Sequence, residues 1–261
     1  PDFAFMERHH YRVRMAKFLG VPSEVLVMPQ SIAGTIGDDV TEKAGVTKYE
    51  KPLPANVSGD IAGNFPEFIP KTDEPNFQAV PELVDALRGQ QFYSTLKYDG
   101  SSGTVYKLDG GVGVCSRNYE LRESPSNAFW VCVKNFLMTE ALPDGFAFQF
   151  EAIGPGIQKN PLKLSKVEPR VFNLFDIRKH VYADSEALLS LCAGTGVPCV
   201  AVLEQGNLFD MGDDELRKYA ERTYPNGSPA EGVVFRPVAE QFLEHERVSF
   251  KAINLLYKDK S

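Results

Sequence analysis

From about residue 76 onward the sequence predicts an α+β fold built mainly of antiparallel sheet. Three observations point there. Short segments rich in aromatic and β-branched residues follow one another closely, among them QFYSTLKYD, GTVYKL and FAFQFEAIG. Apolar residues at helical spacing occur in a few scattered stretches only. No internal repeat and no low-complexity tract interrupts the pattern.

Taken in order, HHYRVRMAKF at 9–18 alternates basic and apolar side chains, the pattern of a half-buried strand. The proline and glycine of LVMPQSIAG then break it. Residues 38–75 are rich in proline, glycine and charge and have little periodicity, which predicts a long connector lying over a domain surface. FQAVPELVDALR at 77–88 has helical spacing with Pro81 in a first-turn position. Strands follow at QFYSTLKYD, GTVYKL and GVGVCSR, and a helix at 124–140. FAFQFEAIG and VFNLFDI are further strands, and DSEALLSLCA at 184–193 is a helix. DDELRKYAER at 213–222 is another, its opening acids suiting the positive end of the helix dipole. EGVVFRP and HERVSFKAI read as the last two strands.

Composition narrows the class without naming it. A chain of 261 residues with 43% apolar and 24% charged side chains is an ordinary globular protein of one large or two modest domains. No apolar run approaches the ~20 residues that span a bilayer, and no signal-peptide pattern opens the chain. A net charge of −7 argues against nucleic-acid binding over the whole surface, but a local basic groove is compatible with it. The cysteines Cys115, Cys132, Cys192 and Cys199 form no CxxC pair and have no histidine at zinc-like spacing. A reducing compartment, cytoplasmic or nuclear, and no structural metal are the expectations.

The chemistry-bearing residues arrive as an ordered set. KYDG at 97–100 is by itself a strand end and a tight turn. CSRNYEL then puts Arg117 at a strand end, FQFEAIGPGIQKN puts Glu151 at another, and VFNLFDI offers Phe175 beside an acid. AEGVVFRP opens a strand with Glu231, and VSFKAIN presents Lys251. Each has a bland reading: Arg117 covering a surface, Phe175 in the core, Glu231 as an exposed strand-end charge. Six in this order are far less expected by chance.

The set resembles the covalent nucleotidyltransferases, which comprise DNA ligases, RNA ligases and mRNA-capping enzymes. EAIGPGIQKN followed by NLFDI is most similar to the ATP-dependent RNA ligases, and VTKYEKPLPA with FPEFIPKTDEPNFQ to their Deinococcus/Naegleria-type branch. The resemblance covers roughly residues 8–258. It implies a nucleotidyltransferase (adenylyltransferase) fold of antiparallel sheets flanked by helices, with an ATP pocket between them. It also implies an N-terminal OB module. About thirty-five residues before the connector cannot supply the five strands of that barrel. The expected organisation is therefore an OB tail at 1–35, a connector packed on the catalytic domain at 36–75, and a nucleotidyltransferase domain at 76–261. Nick sealing by this chain is expected to be weak without the full module.

The resemblance further implies the roles. Lys97 is the nucleophile that takes AMP from ATP, passes it to a 5′-phosphate end and lets a 3′-hydroxyl expel it. Asp99, Glu151 and Glu231 are the expected metal carboxylates for Mg²⁺ or Mn²⁺, acting through retained waters, with the ribose hydroxyls as an alternative partner of Glu151. Arg117 and Lys251 contact phosphate, and Phe175 stacks on adenine. In the final motif Ser249 stands where double-strand-sealing ligases usually carry a lysine, so a second phosphate contact is sought at Lys163, Lys166 or Arg247. The implied partner is nicked duplex with an RNA 3′-OH, acted on by a monomer. A capping guanylyltransferase or a DNA ligase would use the same lysine chemistry, and a binding module that kept only the fold is the non-enzymatic alternative.

Overall fold

The structure is a computed structural model that describes residues 60–258, together with Ala16–Phe18, Val21–Ser23 and Thr35. The chain divides into two units, Pro1–Asn56 and Val57–Ser261. In the first, β1 (Ala16–Phe18) and β2 (Val21–Ser23) pair as an antiparallel hairpin. The rest of the strand expected at 9–18, and the connector up to residue 59, lie outside the described residues.

In the second unit the described residues form two principal antiparallel sheets. The larger has seven strands in the order β10-β9-β8-β5-β6-β7-β3. These are β3 (Ile61–Asn64), β5 (Ser101–Leu108), β6 (Gly111–Ser116), β7 (Tyr119–Leu121), β8 (Phe146–Ile153), β9 (Glu168–Asp176) and β10 (Val181–Tyr182). The smaller runs β11-β4-β12-β15, made of β4 (Gln91–Lys97), β11 (Val202–Leu208), β12 (Gly232–Pro237) and β15 (Phe250–Ile253). A hairpin of β13 (Phe242–Leu243) and β14 (Glu246–Arg247) precedes β15. All six residues of β12 are buried, Arg236 among them, so GVVF within EGVVFRP is a continuous apolar run rather than an alternation.

Several elements differ from expectation for local reasons. The connector is not wholly irregular, because Ile61–Asn64 pairs with β7 at the sheet edge. The helix expected at 124–140 is two, α2 (Ala128–Asn135) and α3 (Met138–Ala141). It starts late because the Asn127 side chain caps it, accepting from Phe129 N at 3.0 Å. It breaks at Leu137, which takes a left-handed φ of 49°. HERVSFKAI is likewise split between β14 and β15. β11 escapes the sequence pattern because VLEQGNL is a largely exposed, bulged edge strand.

The other helices cover the sheets. α1 (Pro81–Leu87) begins on Pro81 and buries Leu83, Val84 and Leu87. With α5 (Asp213–Tyr219) it packs on the smaller sheet around Phe92, Phe235 and Phe250. α4 (Ser185–Thr195), whose N-cap Asp184 accepts from Ala187 N at 2.9 Å, joins α2 and α3 against the larger sheet around Phe148 and Phe150. A short α6 (Leu255–Lys258) follows β15.

Candidate active site

The KYDG segment is where the chain leaves the smaller sheet at the end of β4 and enters the larger one at β5. A cleft of about 570 Å³ opens there, lined by residues of both sheets. Strand register brings the distant residues in. Lys97 pairs with Gly232, so Glu231 stands beside it, and Lys251 of β15 pairs with Val234 on the other side of β12. On the larger sheet Glu151 pairs with Ser102, and Arg117 directly follows Ser116, whose partner is Gly103. Gly100 permits the crossing: a Cβ there would lie 2.3 Å from the Ala152 carbonyl oxygen.

Lys97 Nζ donates to Glu231 Oε2 at 2.7 Å, and both side chains are about one-fifth exposed. Its partner is thus Glu231 rather than Asp99. Burial pushes the Glu151 carboxyl up to about 7, and the neighbouring Glu231 and Asp99 charges add to the rise while Lys97 and Arg117 oppose it. The cations lining the cleft are Lys97, Arg117 and Lys251. Asp73 reaches between two of them, 2.6 Å from Arg117 and 3.9 Å from Lys251.

Phe175 does not belong to this site. It is 1% exposed and packs edge-on against His180 and Tyr182 in a core cluster with Phe65 and Ile69. The aromatic that this stretch gives to the cleft is Phe172, which lines it together with Tyr98 and Phe129. Gln149 pairs with Asn173 and Phe150 with Val171, leaving Phe172 as the extra residue of a β-bulge. A bulge re-aims a side chain, so strand parity could not have found it.

Ser249 is not a phosphate contact either. It is buried, accepting from Arg236 Nε at 3.0 Å and donating to Glu74. Arg236 pairs with Glu74 at 2.6 Å and donates to the Phe172 carbonyl at 3.2 Å, so this buried group fastens the bulge. The alternatives Lys163, Lys166 and Arg247 line no part of the cleft. Arg247 is held by Glu240 and Asn173. Beyond Phe172 and Asp73, sequence reading also missed Gln158, which donates to the Gly100 carbonyl at 3.1 Å. Its place in GPGIQKN was the available signal.

The residues present fit a divalent cation. Three carboxylates, Asp99, Glu151 and Glu231, line the one cleft, and the Glu231 and Asp99 charges add to the rise that burial causes at Glu151, a repulsion that a cation between them would relieve. Among the described residues no group of three or more ligand side chains forms a ready cage.

Two antiparallel sheets joined through a lysine-bearing turn, with acids and cations converging on it, make a nucleotidyltransferase fold. The family model for RNA ligase matches residues 90–253. Solved structures of the Naegleria gruberi RNA ligase agree along almost the whole chain. A lysine-to-alanine mutant with ATP and Mn is 35% identical with a TM-score of 0.73, over 96% of this chain and 77% of that one. The enzyme with PPi is 36% identical with a TM-score of 0.72, over 95% and 76%. A lysine-to-methionine mutant with AMP and Mn is 35% identical with a TM-score of 0.73, over 96% and 76%. No curated protein sequence matches. This chain belongs to the RNA ligase family.

Proposed function

We propose that this chain is an ATP-dependent RNA ligase that works through a covalent lysyl-AMP at Lys97 and seals nicks bearing an RNA 3′-OH. The observation that carries the reading is the placement of Lys97 at the sheet crossover, 2.7 Å from Glu231, in a cleft that also holds Arg117 and Lys251. The relatives with bound ATP, AMP and PPi support the choice of nucleotide.

In the first step Lys97 Nζ attacks the α-phosphorus, a P–N bond forms, and the P–O bond to the leaving pyrophosphate breaks. The amine must shed a proton to attack, and Glu231 is the acceptor within hydrogen-bond reach. Arg117 and Lys251 meet the charge that gathers on phosphate oxygens as the bonds exchange. The apolar wall of Leu96, Phe172, Val200 and Val234 would take the adenine. Asp99, Glu151 and Glu231 would hold Mg²⁺ or Mn²⁺, which supplies charge neutralisation at the phosphates. AMP then passes to a 5′-phosphate end, and attack by the 3′-hydroxyl forms the phosphodiester and expels AMP.

Incubation with α-labelled ATP and Mg²⁺, followed by a denaturing gel, is expected to label wild-type protein and not Lys97→Ala. A labelled Lys97→Ala band, or labelling by GTP in preference to ATP, would contradict the proposal. Joining of a nicked duplex with an RNA 3′-OH, compared with a DNA 3′-OH, tests the substrate.

A further inference from the structure

We propose that Tyr224 is a positioning residue for the nucleophile, its single hydroxyl locking the Lys97–Asp99 turn to the strand entry that carries Glu231. The Tyr224 hydroxyl donates to the Lys97 carbonyl at 3.1 Å. It accepts from the Asp99 amide at 2.9 Å and from the Glu231 amide at 3.3 Å. A phenol has one donor and two acceptor sites in reach, so these three bonds use it fully. One oxygen atom therefore fixes the backbone of the lysine, of the acid two residues on, and of the carboxylate that faces the lysine amine.

The ring is itself held rigidly. Tyr224 is 1% exposed and stacks on Tyr98, the residue inside the turn, with centroids 5.5 Å apart. Its backbone is closed into a compact loop by Tyr224 N to the Ser228 carbonyl at 2.8 Å and Ala230 N to the Arg222 carbonyl at 2.9 Å. Asn254, three residues after Lys251, donates to the Arg222 and Ala230 carbonyls at 3.1 and 2.9 Å. The loop at 222–230 thus braces the turn and the two strands that approach it. A positioned nucleophile gains rate from geometry set before the reaction, which is the use of such bracing.

The proposal rests on Lys97 being the nucleophile. Tyr224→Phe keeps the ring and its stacking but takes away the hydroxyl that the Asp99 and Glu231 amides donate to, and one bond to the Lys97 carbonyl. The expected result is a fall of about 10- to 100-fold in the single-turnover rate of lysyl-AMP formation. The ATP concentration for half-maximal rate is expected to change less than about threefold. Joining of a strand supplied already adenylylated, which needs no attack by Lys97, is expected to fall less. An unchanged labelling rate, or an equal loss in all three readings, would overturn the proposal. Hydrogen exchange on the wild-type chain decides the geometry should Tyr224→Phe fail to fold. The Asp99 and Glu231 amides are expected to exchange as slowly as those of β12, and exchange at the rate of an exposed loop would overturn the assignment. A wild-type chain that takes no label would instead overturn the lysyl-AMP reading, while the exchange result still judges the bracing.

Discussion

Neutralising Glu74 is expected to destabilise the protein in a pH-dependent way. Its carboxylate is held by Arg236, by Ser249 and by the nearby positive charge of Arg247, which together outweigh burial and take its pKa from 4.5 to about 2. A shift of that size corresponds to about 3 kcal/mol of stability. Breaking a buried ion pair from one side costs about 3–5 kcal/mol, so two independent estimates agree in size. The sign follows from the depressed pKa. The stabilisation is complete above about pH 4.5, where the unfolded carboxylate is already ionised, and is lost as pH falls toward about 2. Trp130 is the only tryptophan of the chain and lies in α2, so its fluorescence reports urea unfolding of the unit that contains the site. Glu74→Gln is expected to be less stable than wild type by about 3 kcal/mol at pH 7, with the gap closing as pH falls below about 4.5. Because Arg236 also holds the Phe172 carbonyl, the variant is expected to bind ATP more weakly. A gap that is absent at pH 7, or that stays constant down to pH 3, would refute the reasoning.

Phe172 and Phe175 should separate cleanly. Phe172→Ala is expected to weaken ATP binding with little effect on unfolding, whereas Phe175→Ala, in the core, is expected to cost about 3–5 kcal/mol of stability. Calorimetric titration with ATP and urea melts of both variants check this. Asp73→Asn removes the acid lying between Arg117 and Lys251, so affinity for pyrophosphate is expected to rise severalfold at low salt and less at high salt. Unchanged affinity would deny Asp73 that role. Gly100→Ala forces a Cβ against the Ala152 carbonyl and is expected to abolish labelling of Lys97 while the distant helices keep their circular-dichroism signal.

The strand-end residues of the candidate site were legible because register carries them. Lys97, Glu231 and Lys251 each sit at or beside a strand of one small sheet, and antiparallel pairing across β4, β12 and β15 brings them together. Phe172 was illegible because a bulge breaks the two-residue alternation from which a face is read. Ser249 stood out as a departure from a lysine, but its meaning lay in Glu74 and Arg236, far away in sequence. α2 and α3 looked like one helix because helical spacing does not register a cap at Asn127 or a left-handed residue at Leu137.

By itself the sequence determined the α+β class, most of the strands and helices after residue 76, and the ordered residues that carry the family resemblance. Those are local properties: periodicity, capping residues and short motifs. Only the tertiary structure decided which aromatic faces the cleft, which acid meets Lys97, and that one tyrosine hydroxyl binds three backbone groups of the site. The first depends on a bulge between β8 and β9, and the other two on hydrogen bonds between segments more than a hundred residues apart, as between Lys97 and Tyr224. No local pattern encodes such meetings, because their geometry exists only once both sheets have packed around the turn that joins them.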